Sequence, residues 1–81
     1  MKYTLVEVTF SIDKPSCDKY NCMVKIPGAK GFWDVIIEDI DEYNVGKLHF
    51  PTSDAILNFL DKRMTLELFD GSEQVGTAIV R

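Results

Sequence analysis

The residues of this chain that could carry out chemistry are few and widely spaced. His49 is the single histidine, and neither a nucleophile nor a metal co-ligand stands at a spacing that would bring it to the imidazole. We therefore interpret His49 as a structural histidine within a strand. Cys17 and Cys22 form a C-x4-C pair, whereas zinc sites use tighter pairs, usually two of them. The pattern favours free thiols over a disulfide or a metal site.

The carboxylates are more numerous, but their spacing matches no site that we can assign. Asp39, Asp41 and Glu42 lack the glycine and the distant glutamate of an EF-hand calcium loop. Asp34 and Glu38 fall on one face of a strand, but nothing indicates the apolar pocket that would make one an acid and the other a base. We predict no catalytic, cofactor-binding or metal-binding residue, and hence a protein that is not an enzyme.

The acidic residues are concentrated in the middle of the chain. The net charge is −4, and residues 34–54 alone hold six carboxylates against one lysine, a net charge of −5. This sign disfavours direct nucleic-acid binding, which requires a basic surface, and fits a basic protein partner. We predict a partner-binding site that comprises Glu38, Asp39, Asp41, Glu42 and Tyr43. The alternative interpretation of this segment is a solvated turn that aids solubility.

Alternation of apolar and polar residues predicts six strands. They cover residues 3–12, 20–26, 33–37, 43–50, 64–69 and 75–80. The last two form a predicted hairpin in which Leu68 faces Val75 and Leu66 faces Thr77.

One helix is predicted at about 54–62. Thr52 or Ser53 can cap its start, and Ile56, Phe59 and Leu60 form an apolar stripe that must pack on the sheet because so short a helix is marginal alone.

These elements predict a single domain over 1–81 with an α+β fold. A small, mostly antiparallel sheet in the order β-β-β-β-α-β-β carries one packed helix. The alternative is a small β-sandwich or barrel with one helix closing an end. No signal-peptide pattern and no apolar run of about 20 residues is present, so we expect a cytoplasmic protein that does not enter a membrane.

The function expected from these features is that of a non-enzymatic protein-binding module, an inhibitor or adaptor that binds a basic surface of its partner. The profile of a small, acidic chain without catalytic residues is similar in composition to that of many phage-encoded inhibitors of host enzymes, although no motif identifies a family. The alternative function is a structural subunit that self-associates through an exposed strand edge, which would give a homodimer.

Overall fold

The computed structural model describes residues 2–11 and 19–81 and shows six strands in them. The strands are β1 Thr4–Phe10, β2 Lys19–Lys25, β3 Trp33–Glu38, β4 Val45–His49, β5 Thr65–Asp70 and β6 Glu73–Val80. A short 3₁₀ helix, Asp54–Phe59, lies between β4 and β5. The predicted strands are all present, although several of them are shorter at their ends than the alternation suggested.

The six strands form a closed antiparallel barrel. Their order around the ring is β1-β4-β3-β2-β5-β6, and β6 pairs with β1 to close it. The predicted α+β fold, with a helix on an open sheet, is therefore wrong. Closure turns the apolar faces of all strands toward one another, so the strands' own side chains fill the interior and no sheet face is left for a helix. A barrel was the alternative from the sequence, but this one has no helix beyond the 3₁₀ segment among its described residues.

The core consists of the side chains that alternate inward along the strands. Val6, Val24, Ile37, Leu48 and Leu66 are each fully buried. The remaining buried apolar residues are Val8, Cys22, Ile26, Val35, Phe50, Leu68, Val75, Ala78 and Val80. The period-two pattern in the sequence therefore identified most of the inward faces correctly.

Residues 50–64 cross one end of the barrel, which we call the crossover end. They connect β4 to β5, which lie three positions apart in the ring of six and hence on opposite sides. Phe50 is buried at the start of this segment, and Ser53 caps the 3₁₀ helix by accepting a hydrogen bond from the backbone N–H of Ala55. Of the predicted apolar stripe, Ile56 and Leu60 are partly buried and pack against the core, whereas Phe59 is 72% exposed. A 3₁₀ helix also rises further per residue than an α-helix, which suits a connection that must span the barrel.

The β5–β6 hairpin pairs one residue away from the predicted register. Leu68 faces Gly76 and Leu66 faces Ala78, with an irregularity next to Phe69 and a turn of only two residues. Because successive side chains alternate between the two faces, this shift points Ala78 inward and leaves Ile79 exposed. Gly76 permits a close approach of β1, since a Cβ at that position would collide with the carbonyl oxygen of Thr9.

The end of the barrel opposite the crossover is the turn end. It carries the β3–β4 turn, residues 39–44, and the β5–β6 turn, residues 71–72. The antiparallel order points these two turns in the same direction, but the register sets Phe69 level with Met23 and Asp34, four residues before Glu38, so the two turns are staggered. The turn end holds most of the predicted partner-binding residues.

Candidate functional site

The β3–β4 turn is held by the side chain of Asp41. Its Oδ1 accepts hydrogen bonds from the backbone N–H groups of Tyr43, at 2.8 Å, and Val45, at 3.0 Å. The backbone of Asp41 also bonds to Val45 and Asn44. Asp39 and Asn44 have positive φ angles of 55° and 63°, a conformation in which Asp and Asn are enriched. The role of Asp41 is therefore structural, since its hydrogen bonds hold the turn in one conformation.

Glu38 lies at the end of β3 and contacts the one histidine of the chain. Its Oε1 is 3.0 Å from Nε2 of His49, and its Oε2 is 3.9 Å from Nζ of Lys19. The His49 side chain is 5% exposed. Both ring nitrogens of His49 are buried and have no hydrogen-bond partner among the described residues. The Glu38 carboxylate therefore lies against a buried histidine without a hydrogen bond to it.

The remaining predicted site residues differ in exposure and pairing. Asp39 forms an ion pair of 3.5 Å with Lys47. Glu42 is exposed and forms no ion pair within the described residues, and Tyr43 is 73% exposed. The structure therefore places all five residues together at the turn end, but three of the four carboxylates already have internal partners. Glu42 and Tyr43 are the members left to meet another molecule.

Two exposed carboxylates of the β5–β6 hairpin lie outside the predicted site. Asp70 and Glu73 flank the β5–β6 turn and face each other as the last pair of that hairpin. Both are exposed, and neither has an ion-pair partner in the described ranges.

A groove of about 440 Å³ lies on the outer surface of the barrel across β2 and β3. Its walls come from the end of β5 and the chain after β4. The lining residues are Asn21, Cys22, Met23, Asp34, Val35, Ile36, Pro51, Phe69, Asp70 and Gly71. The groove therefore combines apolar side chains with two carboxylates. The sequence places Asp34 on a strand face with Glu38, but it carries no signal for the wall that β5 provides.

Cys22 lies at the bottom of this groove as a buried free thiol. Burial, and secondly the negative charge of Asp70, raise the pKa of the Cys22 thiol from 9.0 to about 12. The neutral thiol is a poor nucleophile and metal ligand, so Cys22 serves as a core residue. Cys17, with which it was paired in the sequence analysis, lies outside the described residues.

Other classes of site and the comparisons with known proteins add no assignment. Within residues 2–11 and 19–81, no three His, Cys, Asp or Glu side chains are arranged to hold a metal ion. In the same residues, no helix has the length and apolar character needed to cross a membrane. Comparison of the chain with protein-family models, with curated proteins and with solved structures finds no match in any of the three.

Proposed function

We propose that this chain is a non-enzymatic protein-binding module, an inhibitor or adaptor, whose turn end binds a basic surface on a partner protein. The observation that supports the proposal is the surplus of negative charge at that end. Glu38, Asp39, Asp41 and Glu42 stand there against two cations, Lys19 and Lys47, which already contact Glu38 and Asp39, and Glu42 has no ion-pair partner in the described part of the chain. Like charges held together repel one another, and a basic partner would relieve that repulsion.

The geometry of the turn end suits this role because its charges are held on a rigid support. The hydrogen bonds of Asp41 fix the turn, so little conformational entropy is lost when Glu42 and Tyr43 meet a partner. An exposed tyrosine beside a carboxylate offers an aromatic contact as well as charge. Exposed charges of this kind act mainly on the rate of association and on specificity, and their effect decreases with salt.

Two further parts of the proposal concern location and assembly. A cytoplasmic location is supported by the free thiol of Cys22, since disulfides are rare in reducing compartments. The closed ring bears on the alternative of a subunit that self-associates through a strand edge. Each of the six described strands has a paired neighbour on both sides. A homodimer would have to use a route other than an exposed edge strand.

The test is to capture a partner and then remove the charge of the β3–β4 turn. Immobilised protein is incubated with lysate of the source cell, and retained proteins are eluted with increasing salt and identified by mass spectrometry. The variant carries Asp39→Asn, Asp41→Asn and Glu42→Gln, and the amide carbonyl introduced at position 41 can still accept the hydrogen bonds of the turn. The matched control removes three charges elsewhere, through Asp54→Asn, Asp61→Asn and Glu67→Gln.

We expect the turn variant to keep its fold and to lose the salt-sensitive partner, whereas the control variant keeps both its fold and the partner. Binding that is unaffected by both the turn variant and salt would overturn the proposal. The interface would then lie elsewhere, for example on the exposed outer side chains of Leu5 and Ile79.

A further inference from the structure

A second groove, of about 550 Å³, lies on the outer surface of the barrel where β6 ends, and we call it the basic groove. Its lining residues are Glu7, Lys62, Arg63, Ile79, Val80 and Arg81. Arg81 forms an ion pair of 3.5 Å with Glu7. Lys62 and Arg63 are exposed and form no ion pair within the described residues. An anionic group in this groove would therefore meet two cations without displacing an internal partner.

The pairing of β6 places apolar side chains beside these cations. The backbone N–H of Arg81 donates to the carbonyl of Leu5 at 2.9 Å, and that of Arg63 donates to the carbonyl of Val80 at 2.6 Å, so the end of β6 runs between β1 and the residues that precede β5. Ile79 points outward and is 39% exposed, and Leu5 on the neighbouring β1 is 45% exposed. An occupant of the groove can thus bury apolar surface as well as pair charges.

The backbone of Arg63 adopts a conformation that arginine rarely takes. Its φ angle is 69°, and it is the third residue of a turn in which the N–H of Met64 donates to the carbonyl of Asp61 at 3.1 Å. Glycine or asparagine is favoured where the third residue of a turn has a positive φ, and strained residues of other types cluster at functional sites. An arginine at this position indicates that its guanidinium group is used.

The β3–β4 turn matches the basic groove both in charge and in apolar character. Glu42 and Tyr43 are adjacent there; Glu42 has no ion pair in the part of the chain that the structure describes, and Tyr43 is 73% exposed. The hydrogen bonds of Asp41 hold both in place. A guanidinium group pairs with carboxylates and stacks on aromatic rings, so a turn that presents both groups suits Arg63 better than a carboxylate alone.

We propose that the basic groove binds the β3–β4 turn of a second copy of this chain, with the Glu42 carboxylate pairing with Lys62 and Arg63 and the Tyr43 ring packing on Ile79. Two different surfaces meet, so the contact is head-to-tail. The net charge of −4 opposes it little at about 0.1 M salt, where charges more than about 10 Å apart are largely screened. A turn in a groove is a small interface, so the association is weak and reversible.

This contact goes beyond the proposed function because it assigns a second surface and a means of regulation. A turn that is held by another copy is not free to bind a basic partner, so the two associations compete. The contact does not require that such a partner exists.

Sedimentation equilibrium of the purified protein, from micromolar to millimolar concentration, measures the self-association. The mean mass should rise with concentration at moderate salt and return to that of a monomer at high salt. The basic-groove variant, Lys62→Gln with Arg63→Gly, and the tip variant, Glu42→Gln with Tyr43→Ala, should each raise Kd about tenfold, since each removes two exposed contacts worth about two- to fivefold apiece.

The matched control, Lys25→Gln with Lys30→Gln, removes two exposed lysines outside the groove and should associate like the wild type. The single variant Arg63→Gly separates binding from folding. Glycine takes a positive φ without strain, so this variant should melt at or above the temperature of the wild type and still raise Kd about two- to fivefold.

Mixing the two double variants tests the head-to-tail geometry, because each retains one of the two surfaces. An equimolar mixture should form a heterodimer with a Kd close to that of the wild type. When the tip variant is ¹⁵N-labelled, the unlabelled basic-groove variant should shift the amides of residues 62–63 and 79–81. When the labels are exchanged, the shifts should lie at residues 39–44.

A wild type that stays monomeric at every concentration, unchanged association of the basic-groove variant, or a mixture that stays monomeric would each overturn the inference. None of these results affects the capture of a lysate partner by the turn, so the proposed function stands or falls separately. Groove shifts caused by the acetylated and amidated peptide Ala-Glu-Tyr-Ala but not by a second copy would also overturn it, and would assign the basic groove to an acidic segment of another protein. Circular dichroism of each variant shows that the barrel is intact.

Discussion

The Nε2 atom of His49 lies 3.0 Å from Oε1 of Glu38. The two residues are diagonal neighbours on the outer face of β3 and β4. Although it is on the outer face, His49 is nearly fully buried. Loss of the carboxylate would leave a buried imidazole without its closest polar contact. We expect Glu38→Ala to lower the free energy of unfolding by about 1 kcal/mol, the upper range of a partly exposed charge contact, because the Glu38 side chain is 26% exposed and makes no hydrogen bond to the imidazole.

Urea denaturation measures this change, and Glu7→Ala is its control. Glu7 lies 3.5 Å from Arg81, and both side chains are more than half exposed, so its removal should cost less than about 0.5 kcal/mol. Equal effects of the two substitutions would show that the His49 contact contributes nothing beyond a surface ion pair.

The two phenylalanines of the crossover segment should differ sharply in their contribution to stability. Phe50 is 1% exposed and Phe59 is 72% exposed. We expect Phe50→Ala to cost about 3–5 kcal/mol through lost burial and the resulting cavity, and Phe59→Ala to stay within about 0.5 kcal/mol of the wild type. Thermal unfolding monitored by circular dichroism compares them directly. A large loss from Phe59→Ala would restore the packed helical stripe that the sequence analysis predicted.

Gly76 should tolerate a methyl group less well than Gly71. At Gly76 an added Cβ would meet the Thr9 carbonyl oxygen and come within 3.1 Å of the Phe10 Cα, both of which are backbone atoms. Gly76→Ala must therefore separate β1 from β6, at an expected cost of about 3 kcal/mol. Gly71 has a φ of 64° and open space around it, so Gly71→Ala should cost only about 1–2 kcal/mol of backbone strain. Urea midpoints in the reverse order would contradict the observed close approach.

The Cys22 thiol should make stability depend on pH in the alkaline range. Its pKa is raised from 9.0 to about 12 in the folded state, so between these values the unfolded chain has released a proton that the folded chain retains. The stability contributed by the neutral thiol is fully present below pH 9 and is lost as the pH rises to about 12. Urea unfolding between pH 8 and pH 11 measures this slope.

The variant Cys22→Ala provides the comparison, since lysines and tyrosines also titrate in this range. Its stability should fall less steeply with pH than that of the wild type. Identical slopes would show that the thiol titrates in the folded state as it does in the unfolded chain.

The sequence predicted the strands and most of their inward faces because alternation is a local property. In β1, β2 and β3, buried residues such as Val6, Val24 and Ile37 occur where the period of two placed them. It also limited the cap to Thr52 or Ser53, of which Ser53 is the one used, and it located the acidic turn, since both depend on residues close together in the chain. The prediction of the inward face failed at β6, where the irregularity next to Phe69 shifts the register by one residue and exposes Ile79.

What the sequence by itself determined is therefore the number of strands, the alternation of their side chains and the position of the acidic turn. Only the tertiary structure decided that the strands close into a barrel, because closure depends on pairing β1 with β6, at the two ends of the described chain. Closure removed the sheet face on which a helix would pack and brought β5 beside β2, where the end of β5 forms one wall of the groove across β2 and β3. Distant residues meet only after pairing, and the period of a single strand carries no information about which neighbour it will pair with.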